Sequence, residues 1–256
     1  MNNFQSIYLF LLLIFLSNSL IAQDRHLEKA ESYYEDRFEE IVDGQAKSDN
    51  IDEAIKHYNK SKQEPEKYIG LLKSYVFKGS FTPVTKQEQK EYYEKGINLG
   101  EEKIKEYSTS PGITYWYLAN LGRWGDLVDI ITAANEGILG ETRDLCNKVI
   151  DLDPSYHQAG ALRLLGAIHL KAPNIPLVLT WPSTEKAKEL LRRAYEIAPQ
   201  NAANTFFYGK VLIETGNESS GKEILIDLVK RDPRPEFLLP DIKHINKGKE
   251  LLENTF

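Results

Sequence analysis

Ala187-Lys-Glu-Leu-Leu-Arg-Arg-Ala-Tyr-Glu-Ile-Ala-Pro199 is followed, 34 residues further on, by Gly221-Lys-Glu-Ile-Leu-Ile-Asp-Leu-Val-Lys-Arg-Asp-Pro233. Both stretches begin with a small residue and have a large apolar residue four positions later. An apolar or small residue follows three positions after that, and a proline a further five positions on. Spacings of three and four residues place side chains on one face of a helix, and proline ends a helix. A repeat of about 20 to 50 residues is typical of a solenoid of stacked helix pairs.

Helical spacing also extends over the rest of the chain beyond residue 24, where alternating apolar and polar residues are scarce. The dipeptide Asp43-Gly44 lacks alternating runs on its flanks, so we interpret it as a helix end rather than a hairpin turn. We predict an all-α fold with helices at Leu27 to Val42, Ile51 to Ser61, Pro65 to Phe77, Gln87 to Tyr107, Thr114 to Ile131, Glu141 to Leu152, Tyr156 to Leu170, Thr184 to Ile197, Ala202 to Thr215, Gly221 to Lys230 and Pro235 to Leu252.

The last third of the chain resembles the tetratricopeptide repeat, a 34-residue helix-turn-helix unit with small residues at fixed packing positions and a proline at its end. Gly209 falls where the two helices of one unit must approach closely. Counting back from Pro154 by the same offsets gives Val149, Cys146 and Thr142, which predicts a buried, unreactive Cys146. The first helix of the following unit is matched by Leu162, Leu165, Gly166 and His169.

One unit carries an insertion. Gly166 and Ala187 are 21 positions apart, whereas the equivalent step from Gly209 to Gly221 is 12, so nine residues are added. They fall in the apolar, Pro- and Trp-rich loop 171–182. Insertions in helical solenoids map to loops on one face, often the binding face. The loop either contributes to such a face or folds back to cap the groove between its own two helices.

A second unusual stretch is rich in aromatic residues. Trp116, Asn120 and Trp124 are spaced four apart and share a helix face, and Arg123 adds a guanidinium group beside them. Such a stripe is either part of the core or the lining of a concave site, because Trp and Arg are residue types that anchor interfaces.

Taken together, the two stretches resemble the T components associated with tripartite ATP-independent periplasmic (TRAP) transporters. The resemblance covers about residues 110–235 and depends on Tyr115-Trp-Tyr with Asn120-Leu-Gly-x-Trp124, on Asp151-Leu-Asp-Pro154-x-Tyr156, and on Leu165-Gly166-x-x-His169-x-Lys-Ala-Pro173-x-x-Pro176. It implies a periplasmic, non-enzymatic protein that engages a solute-binding protein or a small apolar ligand. The candidate contact residues are Trp116, Asn120, Arg123, Trp124, His169, Pro173 and Trp181.

Composition excludes several classes of function. The chain of 256 residues has 32 Lys and Arg against 38 Asp and Glu, so it lacks the basic excess of a nucleic-acid binder. Its single cysteine, Cys146, excludes an intramolecular disulfide framework, cysteine-cluster zinc sites and iron–sulfur ligation. We find no metal-ligating histidine spacing and no nucleophile motif, and we predict no catalytic residue, no metal and no cofactor.

The N-terminus has the proportions of a signal peptide. An unbroken apolar run from Ile7 to Leu16 precedes a short polar stretch, and cleavage fits after Ser19 or after Ala22, unless the segment is retained as an anchor. Cys146 is far from either site, which excludes the lipid attachment of a bacterial lipoprotein. We therefore expect a soluble exported protein, most simply a periplasmic one.

The predicted organisation is a signal peptide at 1–22, a helical region with degenerate repeats at 23–108, and tetratricopeptide-like repeats at 109–256. The alternative to the transport role is a general adaptor or scaffold for an envelope protein assembly.

Overall fold

The computed structural model describes residues 25–128, 137–172 and 180–255. Within these ranges the chain is almost entirely helical. After a first helix, α1, at residues 25–35, the helices are α2 Asp49–Lys60, α3 Glu66–Phe81, α4 Lys86–Glu106, α5 Pro111–Gly125, α6 Ile138–Leu152, α7 Tyr156–Lys171, α8 Thr184–Ile197, α9 Ala202–Glu214, α10 Glu218–Val229 and α11 Leu238–Thr255.

The helices form a solenoid of two rows. From α2 onward each helix packs against the next, as short connections between antiparallel helices require. The odd-numbered helices also contact one another in order, α3 with α5, α5 with α7, α7 with α9, and α9 with α11. We call these odd-numbered helices the inner row and the even-numbered helices the outer row. The prediction of an all-α, tetratricopeptide-like solenoid is confirmed.

The close helix contact predicted from the repeat is present in two successive units. A β-carbon on Gly209 would lie 2.9 Å from the Leu225 side chain, and one on Gly166 would lie 2.7 Å from Leu191. Leu191 and Leu225 are 34 residues apart, whereas Gly166 and Gly209 are 43 apart. The difference of nine equals the predicted insertion, so the same contact is preserved on both sides of it.

The helix ends follow local chemistry. Thr85 and Glu88 form a capping box at α4, in which the Thr85 hydroxyl accepts from the Glu88 amide and the Glu88 carboxylate accepts from the Thr85 amide. Ser183 caps α8 and Asn201 caps α9 through their side-chain oxygens. These caps explain why the predicted start of α8 and that of α9 agree with the structure.

The region around residue 40 differs from the prediction. The predicted helix from Leu27 to Val42 ends at residue 35 and continues as a 3-10 turn, Asp36–Phe38. Asp43-Gly44 is a hairpin turn and not a helix end, because it joins two antiparallel strands, β1 Ile41–Val42 and β2 Gln45–Ala46. Both turn residues have positive φ, 50° and 76°, which is the backbone conformation that tight two-residue hairpins require. Strands of two residues are too short to display an alternating pattern.

Other predicted helix ends also differ. Helix α3 continues four residues past the predicted end at Phe77, and α6 and α10 begin three residues before the predicted starts at Glu141 and Gly221. Two more predictions need correction. The predicted helix from Thr114 to Ile131 begins earlier and ends at Gly125, as α5. The predicted helix from Pro235 to Leu252 begins with a separate 3-10 turn, Pro235–Phe237, before α11. Helix α5 begins at Pro111 and the 3-10 turn begins at Pro235. Proline is favoured at the first helical position, because its missing N–H costs no hydrogen bond there.

Cys146 lies in the core, as predicted. Its side chain has no solvent exposure and it packs in a cluster with Leu145, Val149 and Leu162. Burial raises the pKa of its thiol, so the reactive thiolate form is disfavoured.

The first and last parts of the described chain meet. Leu239, at the start of α11, packs in a core cluster with Ala30 of α1 and Tyr58 of α2. Arg37 donates a hydrogen bond to the carbonyl oxygen of Glu236 at 2.6 Å. The 3-10 turn before α11 therefore ties the C-terminal helix to the N-terminal elements.

The predicted signal peptide and the middle of the inserted loop lie outside the described residues. Among the helices that the structure describes, none combines the length and the apolar character needed to cross a bilayer. Helices α4 and α5 pack against each other across the predicted boundary at 108/109.

Candidate functional site

The aromatic face of α5 is part of the inner row, and Asn120 is its most buried member. The Asn120 side chain has no solvent exposure. Its amide nitrogen donates to the carbonyl oxygen of Trp116 at 2.8 Å and to that of Leu72 in α3 at 3.1 Å. A β-carbon on Gly96 would lie 2.1 Å from Asn120, so only glycine leaves room for it there. Asn120 therefore holds α3, α4 and α5 together, and a partner cannot reach it while these helices stay packed.

The two tryptophans of this face are partly exposed. Trp116 packs against the core cluster around Cys146 and lies 4.7 Å, ring to ring, from His157. Trp124 packs against the same cluster and donates from its indole nitrogen to Glu94 at 3.2 Å. Arg123 is about one third exposed (35%) and lies 3.5 Å from Asp126. Of the predicted α5 residues, Arg123 is the one whose charged group remains accessible.

The far end of the inserted loop packs back onto the solenoid. Trp181 contacts His169 edge to face, with 5.0 Å between the ring centroids, and the Arg143 guanidinium lies 5.4 Å from the Trp181 ring. The His169 Nδ1 atom accepts a hydrogen bond from the Ser183 amide at 3.0 Å. Desolvation lowers the pKa of His169, and the charges of Lys186 and Arg143 add to that effect. His169 is thus a neutral acceptor that fixes the start of α8.

The predicted site residues therefore form two groups. Trp116 and Trp124 of α5 and Trp181 of the loop contact one core cluster from different elements, and His169 contacts Trp181. Pro173 lies outside the described residues. Both alternatives for the aromatic stripe are represented, because Asn120 is buried whereas the two tryptophans and Arg123 keep exposed surface.

A cluster of cations, which the sequence reasoning missed, lies beside Arg123. We call it the basic mouth, and it consists of Arg123 on α5, Lys171 on α7, Lys210 on α9, and Lys243 and Lys247 on α11. Lys171, Lys210 and Lys247 line one pocket, and Arg123 and Lys243 are near enough to Lys171 for their charges to act on it. Its members come from four helices of the inner row and are far apart in the sequence. No local motif joins them, and overlaying the inner helices would have been needed to find them.

The charges of the basic mouth act on one another. The pKa of Lys171 is lowered by desolvation and by Lys247, Lys210 and Arg123, against the opposing effect of Asp126. The pKa of Lys243 is lowered by desolvation, then by Arg123 and Lys247. Lys171 and Lys243 are both solvent-exposed.

Apolar side chains adjoin these cations. A shallow pocket of about 370 Å³ is lined by Lys171, Lys210 and Lys247 together with Phe206, Phe207 and Leu251, with Glu250 and Asn254 completing its wall. The Lys171 ammonium lies 5.5 Å from the centre of the Phe207 ring. The pocket thus combines positive charge with the apolar surface of the largely buried Phe206 and Phe207 and of the partly buried Leu251.

A second basic group lies deeper in the inner row and is internally paired. Arg234 binds the buried carboxylate of Asp241 at 2.7 and 2.9 Å and donates to Gln158. Arg163 donates to Asn204 at 2.6 Å. Burial and these neighbouring cations lower the pKa of His157 to about 3, so its ring is neutral at physiological pH. Because Asp241, Gln158 and Asn204 accept hydrogen bonds from the two arginines, this group holds the inner helices together.

Among the residues that the structure describes, no group of three or more His, Cys, Asp or Glu side chains is arranged to hold a metal ion. The inner row instead presents cations, amide groups and aromatic side chains, which are groups suited to non-covalent binding.

Residues 183–238 match the family model of the tetratricopeptide repeat. The match covers α8, α9 and α10 and extends to the first residue of α11. Tetratricopeptide repeats generally mediate contacts between proteins, so the match indicates an interaction adaptor or scaffold, a class that is generally non-enzymatic. A search of the curated proteins gives no match to this chain.

Proposed function

We propose that this protein is a non-enzymatic adaptor that holds a segment of a partner protein against the inner row. The observation that carries the proposal is that Lys171 of α7, Phe206, Phe207 and Lys210 of α9, and Lys247 and Leu251 of α11 line one open pocket, and that α9 lies within the matched tetratricopeptide repeat. A surface assembled from several rigid helices holds its contact groups in place before binding. Less conformational entropy is then lost when a partner binds.

The proposal can be tested by photo-crosslinking in cells of the source organism. A photoreactive phenylalanine replaces Lys210 on the inner row or, as the control, the exposed Arg192 on the outer helix α8. We expect a defined crosslinked partner from position 210 and none from position 192. Crosslinks of equal yield from both positions, or from position 192 alone, would contradict binding by the inner row.

The aromatic residues supply a second test. Replacing Trp116, Arg123 and Trp181 together should weaken partner capture. Because both tryptophans also pack against the core, Arg123→Ala alone is the cleaner variant. Its guanidinium forms one ion pair within the described part of the chain, the long contact to Asp126. Unchanged capture by folded Arg123→Ala, together with loss of folding in the triple variant, would assign this face to the core alone.

We further propose that the adaptor is exported and acts in the envelope, with a periplasmic solute-binding protein of a TRAP transporter as its partner. This finer proposal is supported by the apolar run from Ile7 to Leu16 and by the sequence resemblance of residues 110–235. Fractionation of cells that express the tagged full chain tests export. Identification of the crosslinked partner by mass spectrometry tests the transport role, because recovery of unrelated envelope proteins would favour the general scaffold.

A small apolar ligand is the other occupant that the resemblance implies. Native mass spectrometry of the purified protein would reveal such a molecule as a mass above that of the chain. A ligand-free spectrum together with a crosslinked protein would favour the adaptor.

A further inference from the structure

We propose that the basic mouth binds an acidic segment of the partner protein, with an apolar side chain of that segment seated between Phe206, Phe207 and Leu251. This inference depends on the proposed function, because it names the chemistry of the partner that the inner row would hold.

The first argument is the distribution of charge. The chain as a whole is acidic, with a formal net charge of −6, yet Lys171, Lys210 and Lys247 come from three helices to line one pocket, and the charges of Arg123 and Lys243 act there too. Bringing like charges together costs free energy unless something of opposite charge offsets it. A cluster of this kind on an acidic protein is a site of specific charge complementarity.

The second argument is the shortage of carboxylates within the cluster. Arg123 lies 3.5 Å from Asp126, and Lys210 lies 3.4 Å from Glu214. Among the described residues, no carboxylate oxygen lies within 4.0 Å of the ammonium groups of Lys171, Lys243 or Lys247. Glu250 lines the neighbouring pocket, and Asp126 is the carboxylate that opposes the lowered pKa values of Lys171 and Lys243. Within that part of the chain, three ammonium groups of the basic mouth are left without a close carboxylate.

Helix dipoles do not account for the whole cluster. Cations in the last turn of a helix complement its partial negative charge, and Arg123 and Lys171 occupy such positions in α5 and α7. Lys243 and Lys247 lie in the first and middle parts of α11, far from its end at Thr255. Their place beside Arg123 and Lys171 calls for a different explanation.

The apolar part of the pocket favours a protein segment over other anions. Inorganic phosphate would use the cations alone, whereas the pocket also presents Phe206, Phe207 and Leu251. A peptide carries carboxylates and apolar side chains on neighbouring residues, so it can satisfy both parts of the surface. The repeat match at residues 183–238, which includes Phe206, Phe207 and Lys210, also favours a protein.

The test is direct binding to the full chain, measured by fluorescence anisotropy. The probe is a labelled peptide, Gly-Glu-Glu-Phe-Glu-Glu-Gly, and its control has glutamine in place of every glutamate. We expect the acidic peptide to bind, with an affinity that falls as salt is raised, and the glutamine peptide to bind about tenfold more weakly or not at all. Equal binding of the two peptides, or no binding of the acidic one, would overturn the proposal.

Matched variants locate the site. Lys171→Glu with Lys247→Glu should weaken acidic-peptide binding by about tenfold or more. The control pair, Lys230→Glu with Lys249→Glu, makes the same change of net charge at exposed lysines outside the cluster and should change binding by less than about twofold. Lys171→Gln with Lys247→Gln serves as a milder pair if the charge reversal unfolds the protein. Equal loss in the control pair would overturn the assignment.

Other anions are tested in the same assay. Inorganic phosphate, vesicles of phosphatidylglycerol and a single-stranded oligonucleotide are added as competitors. If any of them binds more tightly than the acidic peptide and depends on Lys171 and Lys247, the basic mouth has a different occupant and the proposal is wrong. If the crosslinked partner of position 210 still binds the Lys171→Glu, Lys247→Glu protein at full strength, the adaptor function stands and the acidic-segment inference fails.

Discussion

Gly209 and Gly221 approach each other so closely where α9 meets α10 that a β-carbon on Gly221 would lie 2.7 Å from the carbonyl oxygen of Gly209. Because real β-carbons essentially never come within 3.0 Å of another atom, Gly221→Ala must push the two helices apart. We expect the variant to lose about 1–3 kcal/mol of unfolding free energy, as overpacked cores do. Urea unfolding followed by circular dichroism measures this loss.

Gly140→Ala is the matched control for that substitution. Gly140 lies in α6 and an added β-carbon there would meet nothing within 4 Å. Alanine should therefore stabilise the protein by a few tenths of a kcal/mol to about 1 kcal/mol, through its higher helix propensity. A Gly221→Ala protein as stable as the Gly140→Ala protein would contradict the close approach of α9 and α10.

The pair of Arg234 and Asp241 gives a second prediction. The Asp241 side chain is almost fully buried and accepts from two guanidinium nitrogens and from the Arg234 amide. Asp241→Asn leaves the Arg234 charge without its counterion, which should cost about 3 kcal/mol of stability. Chemical denaturation of the Asp241→Asn variant measures this loss. The control is Glu196→Gln, which breaks an exposed ion pair with Arg192 and should lose less than about 1 kcal/mol. Equal losses would place Asp241 in a solvated pair.

Much of the solenoid is predictable from the sequence, because a repeat fixes packing positions by spacing alone. Gly209 and Cys146 were placed correctly in this way, since each occupies a position whose equivalent recurs in other units. The hairpin at Asp43-Gly44 could not be found, because its strands have two residues each and no alternation to read.

The site was less predictable, because its contacts join distant parts of the chain. Asn120 belongs to a stripe for which the sequence left both the core and a concave site open, and its buried amide reaches the Leu72 carbonyl 48 residues away. The members of the basic mouth range from Arg123 to Lys247, and only the stacking of the inner helices brings them together. Sequence spacing reports which face of a helix a residue shares and does not report which other helix that face meets.

Two partly buried histidines, His157 and His244, predict a loss of stability in mild acid. Burial, together with nearby cations, lowers the pKa of His157 and of His244 to about 3, from the ordinary value of 6.5. A histidine whose pKa is lower in the folded protein takes up its proton more readily on unfolding, so stability falls as pH drops from about 6.5 toward 3. Between pH 7 and pH 5 each should cost about 1–2 kcal/mol of unfolding free energy.

Urea unfolding at pH 7 and pH 5 measures that cost, and His244→Gln removes one contribution. The glutamine cannot titrate, so the difference between the two pH values should shrink by about 1–2 kcal/mol in the variant. An unchanged difference would show that His244 is protonated in the folded protein. Carboxylates with lowered pKa, such as Glu64 at about 2, contribute only at more acidic pH.

The burial of Cys146 predicts a thiol that reports on unfolding. With no solvent exposure and a raised pKa, it should react with iodoacetamide much more slowly in the folded protein than in urea. Mass spectrometry after timed alkylation measures both rates. Ser220→Cys, at an exposed position in α10, is the control and should be alkylated rapidly in the folded state. Equal rates for both cysteines in the native protein would contradict the placement of Cys146.

Asn120 and Arg123 are three residues apart on α5, but substituting them should have different effects. Loss of Asn120 should lower stability, whereas loss of Arg123 should weaken peptide binding. Asn120→Ala leaves the Leu72 carbonyl without its donor and opens a gap beside Gly96, so we expect it to lower the unfolding free energy by about 2–3 kcal/mol. Arg123→Ala removes an accessible cation whose ion pair, among the residues that the structure describes, is the long contact to Asp126, so the stability of the variant should change by less than about 1 kcal/mol. Binding of the acidic peptide should show the opposite order, because Arg123 belongs to the basic mouth and Asn120 is buried behind it. Anisotropy titrations, made at a temperature where both variants are folded by circular dichroism, separate the two effects. If Asn120→Ala weakens peptide binding more than Arg123→Ala under those conditions, then the buried face of α5 participates in recognition and the basic mouth is not the principal contact.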